Sequence, residues 1–237
     1  MNTVRAVLFD LDETLFDHSH CVAQAVGQLR RDHAGLQSRP LDEILAEHRR
    51  LLEIMHLEVL AGRLHPDQAR IDRMRGLFSY CGAGISGELA MESAALHRER
   101  YRAAQRAVPG AHELLAELRR HGVKIGIVTN NLLDEQKGKL AVCNLDSHID
   151  ALVTSEQYGC TKPDPELFRI ALRRLGCEAG DAVMVGDSWE VDILGAQNAG
   201  IRPVWFNRFE LAPPDDSTEQ LKALEPAAAA ARVILKI

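Results

Sequence analysis

The sequence predicts an α/β fold: a Rossmann-like core with a parallel sheet, carrying an inserted helical domain. Three observations lead there. Short apolar runs recur at Val4 to Phe9, Lys124 to Val128, Ala151 to Val153, Ala182 to Val185 and Pro203 to Phe206. Their hydrophobicity is continuous rather than alternating, which suits strands covered on both faces. Amphipathic helical stretches separate most of them, whereas one long stretch, from about Asp17 to Arg106, contains no convincing strand.

Each element has a local reason. A helix over Ala111 to His121 follows the Pro109-Gly110 turn, and Glu166 to Leu175 sets Leu167, Phe168, Ala171, Leu172 and Leu175 on one stripe. Trp189 to Ala199 reads as a helix that stops at Gly200. Strand and helix in alternation imply right-handed crossovers onto one sheet. The strand-free stretch reads as about four helices, one of them after Pro40 with Leu41, Ile44, Leu45, His48, Leu52, Met55 and Val59 at helical spacing. The run Ala227 to Ala231 is read as helix. These readings divide the chain into a core of residues 1–16 and 107–237 and a helical domain of residues 17–106.

Composition narrows the function classes. The 237 residues are 46% hydrophobic and 26% charged, the net charge is −6, and no Lys/Arg block is long enough to track a phosphate backbone. A nucleic acid polymer or an anionic membrane surface is therefore excluded as a general partner. Cys21, Cys81, Cys143, Cys160 and Cys177 are odd in number, widely spaced and without a C-x-x-C pair, so neither a disulfide framework nor a zinc cage is indicated. The N-terminus lacks the apolar core of a signal peptide, and no apolar run approaches the ~20 residues that span a bilayer. The expected compartment is the cytoplasm.

The polar residues that carry chemistry sit at predicted strand ends, where open α/β sheets bind ligands. The first strand runs into Asp10-Leu11-Asp12-Glu13-Thr14, the second into Thr129-Asn130-Asn131, and the fourth into Gly186-Asp187-Ser188 with Asp192 downstream. Lys162 lies in the loop Thr161-Lys162-Pro163-Asp164-Pro165. Taken singly, a solvated turn, a helix cap or a surface lysine would explain each. Together, carboxylates, a cation and neutral donors at neighbouring strand ends make an inventory suited to a phosphoryl group and a hard cation.

In this order the residues resemble the motifs of the haloacid dehalogenase superfamily. Its D-x-D-x-T element is matched by Asp10, Asp12 and Thr14, its strand-ending Ser or Thr by Thr129, its Lys before a helix by Lys162, and its G-D-x-x-x-x-D element by Asp187 and Asp192. The resemblance implies a helical cap inserted between the first and second motifs. The spacing agrees: 119 positions separate Asp10 from Thr129, whereas the 25 between Lys162 and Asp187 leave no room for a second cap.

The resemblance also implies a phosphatase-like activity on a small phosphorylated metabolite. Mg²⁺ would be held by the carboxylates of Asp10 and Asp187 and the main-chain carbonyl of Asp12, with Asp192 behind them or paired to Lys162. Asp10 would be the nucleophile and Asp12 the general acid, then base, while Thr129, Asn130 and Lys162 would bind the transferring oxygens. A halide needs no proton to depart, so the second acid, Asp12, speaks against dehalogenation. Phosphoryl transfer to a sugar, as in mutase relatives, and a non-catalytic binding module are the alternatives. Residues 17–105 hold twelve arginines, twelve acids and no lysine, which disfavours the Schiff-base chemistry of phosphonate-cleaving relatives. Arginine suits a carboxylate or second phosphate, although most arginines of helices decorate surfaces. His18 and His20 are read as part of a solvated hinge.

Overall fold

In the computed structural model, residues 4–215 and 217–237 are described. The chain forms two compact units, one from the described residues of Met1–Asp17 and Arg106–Ile237, the other His18–Gln105. In chain order the elements are β1 (Ala6–Phe9), α1 (His18–Asp32), α2 (Leu41–Leu60), α3 (Pro66–Tyr80), α4 (Gly87–Ala103), α5 (Ala111–Arg120), β2 (Lys124–Thr129) and α6 (Leu133–Val142). There follow β3 (Ala151–Thr154), α7 (Ser155–Tyr158), α8 (Pro165–Leu175), β4 (Ala182–Gly186), a π-helical turn (Trp189–Ile193), α9 (Leu194–Asn198), β5 (Arg202–Phe206), β6 (Gln220–Leu221) and α10 (Ala227–Leu235).

The α/β unit is built on one six-stranded sheet in the order β3-β2-β1-β4-β5-β6, with every neighbouring pair parallel. Phe9 lies level with Ile127 on β2 and with Val185 on β4. The loops after these three strands therefore leave from one edge of the sheet.

Helix α8 covers one face. Its Leu167, Phe168, Ala171, Leu172 and Leu175 are all buried and join Ala6, Leu8, Val128, Val153 and Met184 in a single core. Asp164 caps this helix by accepting from the Glu166 N–H at 2.9 Å, and Gly176 ends it in the left-handed region. Close approach is possible because β2 has a glycine there: a Cβ on Gly126 would lie 2.9 Å from Leu8 and 3.0 Å from Leu175. Truncating a fully buried phenylalanine such as Phe168 costs about 3–5 kcal/mol in cores of this kind.

The strand readings hold to within two residues at their ends, the usual uncertainty of a boundary. Several features depart from the sequence reading, the four-residue helix α7 among them. The stretch expected as one helix from Trp189 is a π-helical turn followed by α9. Helix α6 and the two-residue strand β6 were not anticipated.

The helical unit comprises α1 to α4, with a core of Val22, Val26, Leu29, Leu36, Ile44, Leu51, Met74, Leu77, Phe78 and Ala94. Pro66 opens α3 at its first position, and Ser86 caps α4 by accepting from the Leu89 N–H at 3.1 Å. On α2 the buried stripe is Ile44, His48 and Leu51, while Leu41 is exposed. His18 is half-buried and shares a 2.7 Å hydrogen bond with the Tyr101 hydroxyl, so the solvated reading does not hold for it.

Where the chain leaves and re-enters the α/β unit, Asp17 and Arg106 meet. The Asp17 N–H donates to the Arg106 carbonyl, and the Arg106 guanidinium returns two bonds to the Asp17 carboxylate at 2.8 and 2.7 Å. Arg208 adds a third at 3.0 Å. Burial works against the charge on Asp17, but the two guanidinium groups outweigh it and hold its carboxyl below the usual carboxylate range.

Candidate active site

The parallel register brings the ends of β1, β2 and β4 together, and the polar residues that follow them converge. Asp10 follows β1 directly, its N–H bonded to the Val185 carbonyl of β4 at 3.0 Å. Lys162 is nearly fully buried, and its ammonium lies 2.6 Å from both Asp10 Oδ1 and Asp192 Oδ1. Burial works against its charge, but the two carboxylates outweigh that and raise its affinity for the proton above the ordinary lysine value. Lys162 is therefore a fixed cation.

The acids are not neutralised by it. Single ligand oxygens from Asp10, Asp187 and Asp192 all lie within 4.8 Å of one another. Burial, and then repulsion from Asp192 and Asp12 against the attraction of Lys162, push Asp10 up to about 7. Burial, and then repulsion from Asp10 and Asp192, push Asp187 up to about 9. Once all three are ionised, the carboxylates exceed the single ammonium by two negative charges, and every donor is oxygen. That set fits a hard divalent cation.

Local structure explains how Asp192 arrives there. It sits in the π-helical turn, a geometry that often marks functional sites. Its Oδ2 accepts from the Ser188 N–H at 3.1 Å while Oδ1 faces Lys162. The carboxylate folds back over the end of β4, where a Cβ on Gly186 would collide with it; only glycine fits. Asp187 is steadied through its carbonyl by the Trp205 indole N–H at 2.8 Å and through Oδ1 by the Thr14 hydroxyl at 3.4 Å.

Asp12 is in a different environment. It accepts from Lys139 at 2.6 and 2.7 Å, from Gln136 at 3.0 Å and from Asn131 at 3.3 Å. Its carboxylate is not among the three that gather at 4.8 Å. Between Asp12 and the end of its loop, Glu13 adopts φ 65°, a left-handed conformation uncommon outside glycine and asparagine.

Asn130, expected from the sequence to bind the transferring oxygens, has both ends of its side-chain amide engaged by the main chain of Lys162: Nδ2 donates to its carbonyl at 2.9 Å and Oδ1 accepts from its N–H at 2.7 Å. Its side chain positions the lysine loop. Thr129 is buried at the end of β2, its hydroxyl receiving a 3.2 Å bond from Gln136. Gln136 and Lys139 are the residues the sequence did not reveal. Both are buried on α6, three positions apart, and only that spacing on a helix opening beside the second strand end pointed to them.

A family model described as haloacid dehalogenase-like hydrolase matches residues 4–200, and the chain belongs to that family. Among its relatives, a phosphoserine phosphatase from Thermus thermophilus is 39% identical over 67% of this chain; the chain spans 61% of that relative's length. A ribulose-1,5-bisphosphate 5-phosphatase from Halopiger xanaduensis is 32% identical over 91% of this chain and 90% of its own. Among solved structures, the magnesium-bound HAD-hydrolase YfnB from Bacillus subtilis is 25% identical, with a TM-score of 0.73 over 97% of this chain and 99% of its own. No helix among the described residues is long and apolar enough to cross a membrane.

Proposed function

We propose that this hydrolase removes phosphate from a small phosphomonoester through an aspartyl-phosphate on Asp10, with Mg²⁺ held by Asp10, Asp187 and the main-chain carbonyl of Asp12. The observation that carries the reading is the placement of Lys162, 2.6 Å from both Asp10 and Asp192, inside a cluster of three carboxylates that, once ionised, suits a divalent cation. The two phosphatase relatives agree with it.

A phosphate dianion repels a carboxylate nucleophile, so charge must be neutralised first. Bound Mg²⁺ would supply that neutralisation and Lys162 the remainder. As the bond from Asp10 to phosphorus forms, the bond to the ester oxygen breaks, and Asp12 passes a proton to the departing alkoxide. Water then attacks phosphorus while Asp12 takes its proton, and the Asp10 bond breaks to release inorganic phosphate. Asp192 acts through Lys162, and Asn130 through the Lys162 main chain. Thr129 is assigned to the phosphoryl oxygens.

The helical unit is assigned as the cap that chooses the substrate, and the cytoplasm as the compartment, on the spacing of the cysteines. Asp12 also disfavours dehalogenation, in which the leaving halide takes no proton. The test is phosphate release from a panel of phosphorylated metabolites with Mg²⁺. Turnover should disappear in Asp10→Asn, and wild-type enzyme quenched during turnover should carry one acid-stable phosphate on Asp10. Turnover by Asp10→Asn near the wild-type rate, with deamidation excluded by mass spectrometry, rejects the assignment.

A further inference from the structure

We propose that the interior of the helical unit is an oxyanion site, built from Arg73, His48, His97 and Ser93, that takes the carboxylate or phosphate group of a small ligand. The argument begins with Arg73 on α3. It is 8% exposed, and among the described residues no carboxylate or other hydrogen-bond acceptor meets its guanidinium. By contrast, Arg50 pairs with Glu47 and Arg63 with Glu58 at the surface of the unit. A buried guanidinium without a counter-ion is costly, and its Nε has lost its water without gaining a partner.

Its surroundings are donors in the same condition. His48 on α2 and His97 on α4 are buried and stack with ring centroids 5.0 Å apart, and Nε2 of each has no partner. Ser93, fully buried one helical turn before His97, has an unpartnered hydroxyl, and Nε of Arg73 is likewise unmet. Native interiors leave few such groups, so four gathered between three helices call for an explanation.

The sign of the site follows from its charges. Burial, then repulsion from Arg70, lower Arg73 to about 10, which still leaves it cationic at neutral pH. Burial, then the Arg73 charge, drive His48 well below its usual value and His97 down to about 3. Both rings are therefore neutral, each with one N–H to donate. A metal ion is disfavoured by the guanidinium, and among the described residues the only group able to gather three metal-type ligands is that of Asp10. A permanent cation with several neutral donors matches a compact oxyanion.

That anion could be free in solution or could be an acidic group on the molecule dephosphorylated at Asp10; only the second source rests on the phosphatase reading. Protein labelled with ¹⁵N-histidine is titrated with glycolate and with methylphosphonate in chelator. The expected result is saturable shifts of the His48 and His97 resonances, weakened at least about tenfold in Arg73→Met by loss of a charge-assisted contact. Arg73→Met should also melt at or above the wild-type temperature, because an unpaired buried charge has been removed. Should that variant fail to fold, Ser93→Ala serves instead, with binding weakened and histidine stacking intact.

A second arm compares phosphoglycolate with ethyl phosphate. If the anion belongs to the substrate, Arg73→Met lowers kcat/KM for phosphoglycolate alone; an unchanged ratio with the resonance shifts retained assigns the site to a free anion. Absence of saturable shifts with both probes, or equal shifts in wild type and the folded variants, overturns the proposal. A chain that turned over no phosphate ester would leave the resonance arm intact and reject only the phosphatase reading.

Discussion

Lys139 holds Asp12 by both carboxylate oxygens, at 2.6 and 2.7 Å, although 127 positions separate them in the sequence. An ammonium at that distance favours the ionised carboxylate. The ionised form is the base required in the second half of the proposed reaction, whereas the first half requires the acid. In Lys139→Met, Asp12 should be easier to protonate, and the alkaline limb of the phosphorylation step should move to higher pH by about one to three units. Rapid-quench rates with an alkyl phosphate, followed across pH, measure this. A uniform fall in rate with no displacement of the profile would assign Lys139 a packing role, consistent with its ammonium lying 5.1 Å from the Phe16 ring centroid.

The same acid/base assignment predicts a leaving-group effect. General acid catalysis contributes ~10²–10⁴-fold, so Asp12→Asn should suppress phosphorylation of Asp10 by that order with an alkyl ester. With p-nitrophenyl phosphate, whose phenolate departs almost unassisted, the loss should be much smaller. The variant should then release a burst of nitrophenolate and stall as the phosphoenzyme. Equal losses with both esters and no burst would mean that Asp12 organises the site without transferring a proton.

Metal removal should reveal the raised carboxyls. Asp10, near 7, and Asp187, near 9, hold protons in the folded state that the unfolded chain gives up around pH 4. The folded form is thus favoured by protonation, and in chelator its stability should fall as pH rises from about 4 through the folded values of about 7 and 9, and level off above them. Mg²⁺ bound as proposed would displace those protons, so the increase in Tm that it produces should grow with pH over the same range. Thermal melts with chelator and with Mg²⁺ at several pH values test this. An increment that does not change with pH, or that is undiminished in Asp187→Asn, would remove the carboxyl cluster as the metal site.

The buried histidines predict the opposite slope under acid conditions. His97 is lowered to about 3, largely by burial, so the folded state keeps it neutral while the unfolded chain protonates it below about 6.5. Stability is complete above that pH and should decline as pH falls from 6.5 toward 3, at about 1.4 kcal/mol per pH unit for each such histidine. His97→Gln should flatten the decline in denaturant titrations run in chloride buffers free of phosphate and carboxylate. A slope identical to wild type would place the acid sensitivity elsewhere, for instance at Asp17, whose lowered carboxyl gives stability that is lost only below the usual carboxylate range.

The sequence by itself determined the fold class and most of the polar residues that converge at one edge of the sheet. Continuous apolar runs declare strands covered on both faces, as burial of Ala6 to Phe9 and Ala182 to Gly186 requires, and polar residues at the ends of parallel strands must share an edge. Asp10, Thr129, Lys162, Asp187 and Asp192 were legible for that reason. Helix α6 was not, because its buried face carries Gln136 and Lys139 as well as Leu140, and apolar periodicity cannot register a face made of polar groups. The work of Asn130 was equally hidden, since its amide is satisfied by a main chain 32 positions away. Within the helical unit, the sequence showed twelve arginines but not that Arg73 is buried without a carboxylate. Pairing of charges depends on distances between helices, and only tertiary packing, by burying Arg73 among donors, decided that.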